Sequence, residues 1–511
     1  MAESVDRARA LVPLRRPHAP FHVGVLLDNV PEFVFLLFGA SLAGATVIGI
    51  NPTRRGEELA ADIRHTDCQI VITDERAADL SHLDLGAATG RVLTLDTNRY
   101  ETMTRSDELI GRPSPEDLYL LLFTSGSTGA PKAVRMSHAR AARQAAESAR
   151  AFGPGDILYC AMPLFHGNAL IANLFPALVA GASVVLRRRF SASGFGPDIR
   201  EHGCTYFNYV GRALAYIVAV PESPHDRENS LKWALGSEAS PQTIAEFTRR
   251  YGCPVFEGYG SSENAVIIRP APGMPPGSLG KPKRGTDVAI MDSATGVERA
   301  VAELDPDGRL LNPDEAIGEI VGRNTTALFE GYYRNPEADA QRTRDGWYWS
   351  GDLGYRDADG WVYFAGRTAD WLRVDGENFS AGAVERILDR YPGATGVAVY
   401  GVPDPVTGDQ VMVAAEMDGD FSPEAFGAFV DAQPDLGTKW APRFVRVTAA
   451  LPVTATRKVD KAVLRAERWD VEDPVWWRER RDSPYRPMTA GDRESLREQF
   501  EVNGRGAVLG R

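Results

Sequence analysis

The sequence predicts an α/β protein, with a largely parallel sheet in its first part and a smaller α/β piece towards its end. Three observations carry that expectation. Residues 20–134 alternate apolar, strand-like runs with helical stretches, the pattern of strands joined by helices. Leu118–Phe123 is an uninterrupted apolar run, as a strand buried on both faces requires. It feeds into Thr124–Lys132, where Ser125, Ser127 and Thr128 crowd around Gly126 and Gly129. At 511 residues, 43% hydrophobic and 25% charged, the chain can bury a large core in two or three domains.

Taken in order, MAESVDRARALVPLRRPHAP carries arginines but no apolar h-region, so no secretory signal is predicted. His22–Leu27 reads as a strand. Phe33–Ile50 then runs without a charge at nearly membrane-spanning length. Pro31 suits a first helical turn, and Gly44 followed by β-branched residues suits a helix-to-strand switch. The reading is therefore a buried helix from Pro31 to near Gly44 and a strand at Thr46–Ile50. A helix over Arg55–His65 and a strand at Cys68–Thr73 follow. Alanine-rich Ala139–Ala151 reads as a helix. Val184–Phe190 reads as a strand whose Arg187, Arg188 and Arg189 mark a solvated end. Thr205–Val220 switches from strand-like to helical periodicity at Gly211. Leu235–Ser240 ends a strand in small residues. Asp359-Gly360 signals a hairpin within Trp347–Arg367. Ala383–Leu388 starts a helix, and Val397–Val402 and Gln410–Met417 read as strands.

Net charge of −12 gives no sign of a nucleic-acid partner, so none is expected, and leaves at most peripheral contact with an anionic membrane. Anionic substrates must then meet local positive charge. Cys68, Cys160, Cys204 and Cys253 are widely spaced, with no C-x-x-C. They read as reduced, buried thiols rather than disulfides or a zinc site, which points to the cytoplasm. The Thr124–Lys132 loop can offer hydroxyls and closely approaching N–H groups to phosphate oxygens, with Lys132 adding charge. It is not a Walker A loop, because Pro131 precedes the lysine and Ala133 follows it.

TSGSTGAPKAV followed by Ser137-His138 resembles the phosphate loop of the ANL superfamily of adenylate-forming enzymes: acyl-CoA synthetases, luciferases and peptide-synthetase adenylation domains. Further blocks fall in that family's order. Ala161–Gly167 is similar to its aromatic/histidine motif, LGSEAS at 235–240 to its adenine-contacting loop, and VFEGYGSSE at 255–263 to its adenine-and-magnesium motif. Gly331-Tyr332-Tyr333-Arg334-Asn335-Pro336 follows, then WYWSGDLGYRDADGWVYFAGR at 347–367 and RVDGENFS at 373–380. Leu451–Lys461 ends the series as LPVTATRKVDK, in the Thr-x-Thr-x-Lys form of the fatty-acid-transport and very-long-chain synthetases. Richness in Ala, Arg and Gly is that of high-GC bacteria, actinobacterial in look.

The resemblance implies a large N-terminal adenylate-forming domain with parallel-rich sheets and a small mobile α+β lid. The divisions expected are 1–366, 367–475 with a hinge near Ala369, and a tail at 476–511. About twenty residues precede His22, so the start looks shortened for the family. The implied reaction joins a carboxylic acid to coenzyme A through an acyl-adenylate, using ATP and Mg2+. Ser125, Gly126, Ser127, Thr128, Gly129 and Lys132 would hold phosphates. Gly236, Ser237, Glu238, Glu257, Gly258, Tyr259, Gly260, Ser261 and Ser262 would surround the adenosine, with Tyr259 stacked on adenine. Asp352 would take the ribose hydroxyls, Arg367 the nucleotide, and Arg373, Gly376 and Glu377 the thiol-facing loop. Thr124 and Glu263 occupy the metal positions and, with Lys458, the catalytic ones. His166, Tyr209 and Gly211 are candidates for the acyl site; His166 reads equally as a structural histidine, and Thr205–Val220 equally as core.

Gly211, Gly236 and Gly258 are expected to leave room beside the acyl path, and Lys461 to be a solvated surface charge. Long-chain fatty acids or sterol side-chain acids are the expected substrates, and a homodimer is among the assemblies allowed. Ser262 stands where threonine is more usual, and Ala369 where Asp or Lys is. With the short start, these motivate one alternative, a non-catalytic acyl- or nucleotide-binding relative; a ligase of the same fold passing the acyl group to a carrier protein is the other.

Overall fold

The computed structural model describes residues 1–511 except 75–79, 108–112, 125–131, 238, 240, 307, 368–369, 375–376, 407, 434, 438, 455–456, 481 and 511. They form two compact units: Met1–Ala265 with Thr326–Arg344, and Val266–Thr325 with Asp345–Arg511.

In the first unit the expected alternation is present. β1 (His22–Leu26), β2 (Thr46–Gly49), β3 (Cys68–Thr73), β4 (Val92–Thr94), β5 (Leu118–Thr124) and β6 (Lys132–Ser137) form one sheet in the order β4-β3-β1-β2-β5-β6. Every neighbouring pair is parallel except β5 and β6, which are antiparallel. The uncharged Phe33–Ile50 stretch divides as its prolines and glycines dictate. Helix α2 (Pro31–Leu42) starts with proline in its first turn. It ends where Gly44 adopts φ +65 and the N–H groups of Gly44 and Ala45 return to the carbonyls of Ser41 and Ala40. Among the described residues no helix is long and apolar enough to cross a membrane.

The first helix, α1 (Ala2–Leu11), is not anticipated by the sequence pattern. It packs on α2 at Gly39, where a side-chain carbon would come within 2.8 Å of the Ser4 carbonyl oxygen. Arg7 on α1 donates to both oxygens of Glu32, at 2.6 and 2.9 Å. The expected helices over Arg55–His65 and Ala139–Ala151 are α3 (Gly56–His65) and α4 (His138–Ser148), the latter capped by the Ser137 hydroxyl.

On α3, Asp62 is 1% exposed and pairs with Arg54 at 2.8 Å. Burial outweighs the arginine and raises its carboxyl to about 6. From the ordinary carboxylate range up to about 6, the native state keeps a proton that the unfolded chain has released. Stability is therefore greatest at the acid end of that window and falls as pH rises through it. Asp62→Asn is expected to flatten this limb, shrinking the stability difference between roughly pH 4 and pH 7 by about 2 kcal/mol. Urea denaturation at a series of pH values measures it; an unchanged slope would refute the assignment.

A second sheet in the same unit is wholly parallel. It comprises β7 (Ile157–Cys160), β8 (Ser183–Leu186), β9 (Tyr206–Asn208), β10 (Trp233–Gly236) and β11 (Val255–Glu257), in the order β11-β10-β9-β7-β8. Beyond β8 the three arginines are solvated as expected, Arg187 pairing with Asp198, and Arg188 and Arg189 with Asp28. Thr205–Val220 is β9 followed by α5 (Ala213–Ala219), and Tyr209, Ala213, Leu214 and Ile217 lie in a core with Phe195 and Phe247. All four cysteines are buried free thiols, each pushed up to about 12 chiefly by burial.

The second unit contains β12 (Val288–Met291), β13 (Gly318–Gly322), β14 (Trp347–Arg356) and β15 (Val362–Arg367), successive antiparallel neighbours. The Asp359-Gly360 turn joins β14 to β15 as expected, with Gly360 at φ +83 and the Asp357 carboxylate accepting from the N–H groups of Asp359 and Trp361. A hairpin of β16 (Trp371–Val374) and β17 (Glu377–Ser380) leads into α6 (Ala381–Leu388).

The last sheet is β18 (Ala394–Pro403), β19 (Asp409–Met417), β20 (Phe444–Thr448), β21 (Val475–Trp477) and β22 (Arg486–Pro487), in that order. Both its faces are buried, so alternate side chains feed two different cores. Val399, Val411, Val413 and Val445 join Phe426 and Trp440 on one side. Ala398, Tyr400, Met412, Ala414 and Phe444 join Trp469 on the other. Residues 476–511 complete both: Tyr485 enters the first core, and Trp477, Leu496 and Phe500 the second.

Candidate functional site

The antiparallel pairing of β5 and β6 sets Thr124 opposite Lys132 at the base of a hairpin. The Thr124 hydroxyl donates to the Lys132 carbonyl at 3.5 Å. Ser125, Gly126, Ser127, Thr128 and Gly129, expected to hold phosphates, lie outside the described residues. The Lys132 ammonium is pulled below its ordinary pKa by partial burial and by Arg342, while Glu263 pulls it the other way. The candidate metal carboxylate is thus close enough to act on the candidate phosphate lysine.

Glu263 is 6% exposed. The turn before it closes with the Asn264 N–H on the Ser261 carbonyl at 3.0 Å, Asn264 adopting φ +58. The fully buried Arg140, on α4, donates to the Ser262 carbonyl. Tyr332 donates its phenol hydroxyl to Glu263 Oε1 at 2.7 Å. Gly167, next to His166, brings its backbone against the same turn: a side-chain carbon there would lie 3.6 Å from Ser262 Oγ and 3.1 Å from Leu122. His166 itself is half-buried, its N–H bonded to the Pro163 carbonyl. The 161–167 and 255–263 blocks therefore meet at the carboxyl ends of their strands, where open α/β sheets place ligands.

A second knot lies beside it. The Tyr209 ring covers the backbone of Gly236, where a side-chain carbon would fall 2.3 Å from ring atoms. The Tyr209 hydroxyl donates to Glu257 Oε1 at 2.8 Å, and the Ala239 N–H reaches the same oxygen at 3.0 Å. The Gly211 N–H donates to the Ser237 carbonyl, and the Gly258 N–H to the Gly236 carbonyl, each at 3.0 Å. Gly236 thus does not leave room beside an acyl path, contrary to expectation; an aromatic ring fills the space its missing side chain provides. Tyr259 and Ser261 are half-buried and Gly260 exposed, while Glu238 lies outside the described residues.

In the second unit, Asp352 on β14 stands opposite Arg367 on β15, so the two nucleotide candidates share one register position. The Ser350 hydroxyl accepts from the Asp352 N–H at 3.1 Å. Arg373 and Glu377 lie on the paired strands β16 and β17; Gly376 and the hinge residue Ala369 fall outside the described residues. Lys458 is tied to Thr454 through its backbone. Its carbonyl accepts from the Thr454 N–H at 2.8 Å, and its N–H donates to Thr454 Oγ1 at 3.3 Å. Val453 and Val459 bridge on either side, with Arg457 at φ +66.

Lys461 is not the solvated charge expected. Its side chain is 15% exposed, with Glu385 at 2.8 Å and Asp370 at 3.4 Å. Arg465 pairs with the same Asp370. Nothing in the local sequence announced the partners of Lys461, which lie 76 and 91 positions away.

The oxygens of Glu263 and Thr124 are of the kind a hard divalent cation selects. Among the described residues no group of three or more His, Cys, Asp or Glu side chains could hold a metal. A cation at Glu263 would therefore draw further ligands from phosphate oxygens and water, as magnesium does with nucleotides.

Comparison with known proteins adds four findings. The AMP-binding enzyme family matches residues 16–333, and its C-terminal domain matches residues 383–458. Steroid-22-oyl-CoA synthetase of Rhodococcus jostii (strain RHA1) is 51% identical over 519 residues, covering 99% of this chain and 93% of the relative. Medium/long-chain-fatty-acid–CoA ligase FadD17 of Mycobacterium tuberculosis is 43% identical over 477 residues, covering 92% and 91%. The ATP-bound crystal structure of MatB from Rhodopseudomonas palustris superposes with a TM-score of 0.77 at 25% identity, covering 91% of this chain and 92% of that one.

Proposed function

Because the chain belongs to the AMP-binding enzyme family, we propose that it is an AMP-forming acyl-CoA synthetase acting on a steroid carboxylic acid. The observation that carries this reading is the 51% identity to a steroid-22-oyl-CoA synthetase across 99% of the chain. The 43% identity to a medium/long-chain-fatty-acid ligase supports a second reading, a linear fatty acid as substrate.

In the first half-reaction the substrate carboxylate attacks the α-phosphate of ATP, releasing pyrophosphate and leaving acyl-adenylate. Carboxylate and polyphosphate repel, so this chain's main contribution is positioned positive charge and hydrogen-bond donors. Lys132 and the loop it closes bind phosphate oxygens. Tyr259 offers a flat face to adenine, and Asp352 can accept from two vicinal ribose hydroxyls. Glu263 and Thr124 would hold magnesium, which when bound neutralises phosphate charge. Lys458 brings an ammonium to the reacting carboxylate and phosphate. In the second half-reaction the coenzyme A thiol attacks the acyl carbonyl and AMP departs; Arg373, Gly376 and Glu377 are the residues assigned to that step.

The test is a panel of a steroid-22-oic acid, palmitate and acetate, read by pyrophosphate release with and without coenzyme A and by mass spectrometry of thioesters. The expected result is thioester formation with kcat/KM at least tenfold higher for the steroid acid than for palmitate, the scale of discrimination an apolar pocket supplies. Higher kcat/KM for palmitate selects the second reading. Pyrophosphate without thioester would indicate transfer to a carrier protein, and no pyrophosphate with any acid would indicate a binding protein.

A further inference from the structure

We propose that Tyr332 is a positioning residue, its phenol orienting the Glu263 carboxylate for cation-bound nucleotide; this rests on the reading of Glu263 as the cation ligand. Tyr332 is 3% exposed and Glu263 6%, and 2.7 Å separates the hydroxyl from Oε1. A buried carboxylate needs hydrogen-bond donors to satisfy its oxygens. Among the described residues Tyr332 is its only one. One oxygen is committed to the phenol, which leaves Oε2 to face a ligand in a single orientation.

The tyrosine can act this way because its own position is over-determined. Tyr332 bridges Val134 of β6, and its N–H donates to Asp339 Oδ1 at 2.7 Å. On either side, the Tyr333 N–H reaches the Ala133 carbonyl at 2.8 Å, and the Gly331 carbonyl accepts from the Arg135 N–H at 3.0 Å. The ring packs edge-on against Phe329, centroids 5.1 Å apart. The segment therefore lies along β6, the strand that begins with Lys132. Lys132 sits on that strand and Glu263 is tied to it through the phenol, so one backbone frame sets both the phosphate lysine and the metal carboxylate.

The experiment measures Mn2+ binding to the protein with ATP, by water-proton relaxation enhancement, in the wild type and three variants. Tyr332→Phe removes one hydroxyl and is expected to weaken Mn2+ binding on the order of tenfold, the usual scale for a residue orienting a metal ligand. Glu263→Gln is expected to weaken it more. Phe329→Leu loosens the ring's packing without touching the hydroxyl; it is expected to lower Tm and leave Mn2+ affinity unchanged. If Glu263→Gln weakens binding and Tyr332→Phe does not, the positioning role is overturned while the reading of Glu263 stands. If neither moves it, Glu263 is no cation ligand and both fall. If Phe329→Leu weakens Mn2+ binding as much as Tyr332→Phe, packing explains the effect and the phenol's role is overturned.

Discussion

Lys458→Ala is expected to slow acyl-adenylate formation by a hundredfold or more, about 3 kcal/mol of transition-state stabilisation, while leaving supplied acyl-adenylate able to react with coenzyme A. The turn around this lysine explains why a single side chain can matter so much. Thr454 bonds both its carbonyl and its N–H, and the Val453–Val459 bridge closes the turn behind it. Lys458 is thus held at both its N–H and its carbonyl, which lessens the ordering left for the transition state. ATP–pyrophosphate exchange reads the first half-reaction, and thioester formation from synthetic acyl-adenylate reads the second. Lys461 supplies the contrast. It is paired with Glu385 and Asp370, so Lys461→Met is expected to act through folding, lowering Tm and slowing both half-reactions together. If Lys458→Ala slows both half-reactions alike, or neither, its assignment to adenylate formation is wrong.

Where a signal is local, the sequence reads correctly. Cys68–Thr73 is a strand at the bounds its composition implies, because six consecutive buried residues leave no other periodicity to compete. The helix at Pro31 ends where Gly44 can adopt a positive φ that other residues resist. Asp359-Gly360 turns a hairpin because the Asp357 carboxylate and a glycine at φ +83 suit it. Where a residue's role depends on a distant partner, the sequence is silent. Helix α1 has buried alanines but no long apolar stripe; its docking needs the bare backbone of Gly39 and the carboxylate of Glu32. The same holds within the site. Motif order singled out both Glu263 and the 331–336 block, yet nothing in the sequence pairs Tyr332 with a carboxylate 69 positions away. Lys461 looked like any other lysine until the fold set two carboxylates around it.

Gly236 shows the same limit most sharply, and its substitution has the second large effect expected. A glycine in a strand can mean empty space or close approach, and the two meanings predict opposite outcomes. Here a methyl group would land 2.3 Å from the ring of Tyr209, a residue with no exposed surface, packed among Phe207, Phe195 and Phe247. The ring is fully buried and bonded to Glu257, so Gly236→Ala forces either β10 or the ring out of place. Overpacking alone costs roughly 1–3 kcal/mol. Displacing the phenol also breaks its bond to Glu257, a charged acceptor worth about 1.5–3 kcal/mol. The expected total is about 2.5–6 kcal/mol of stability, read as a lower urea midpoint with an unchanged m-value. Because Gly258 is bonded to the Gly236 carbonyl, the same shift should move the loop that carries Tyr259 and raise the KM for ATP. Tyr209→Phe keeps the ring and removes only the hydroxyl, so it should show the smaller, hydrogen-bond part of the loss. Adding Tyr209→Ala to Gly236→Ala removes the clash and should cost less than the sum of the single changes, since the two sites are in contact. Wild-type stability of Gly236→Ala, or strict additivity in the double variant, would mean that the ring does not lie where this geometry puts it.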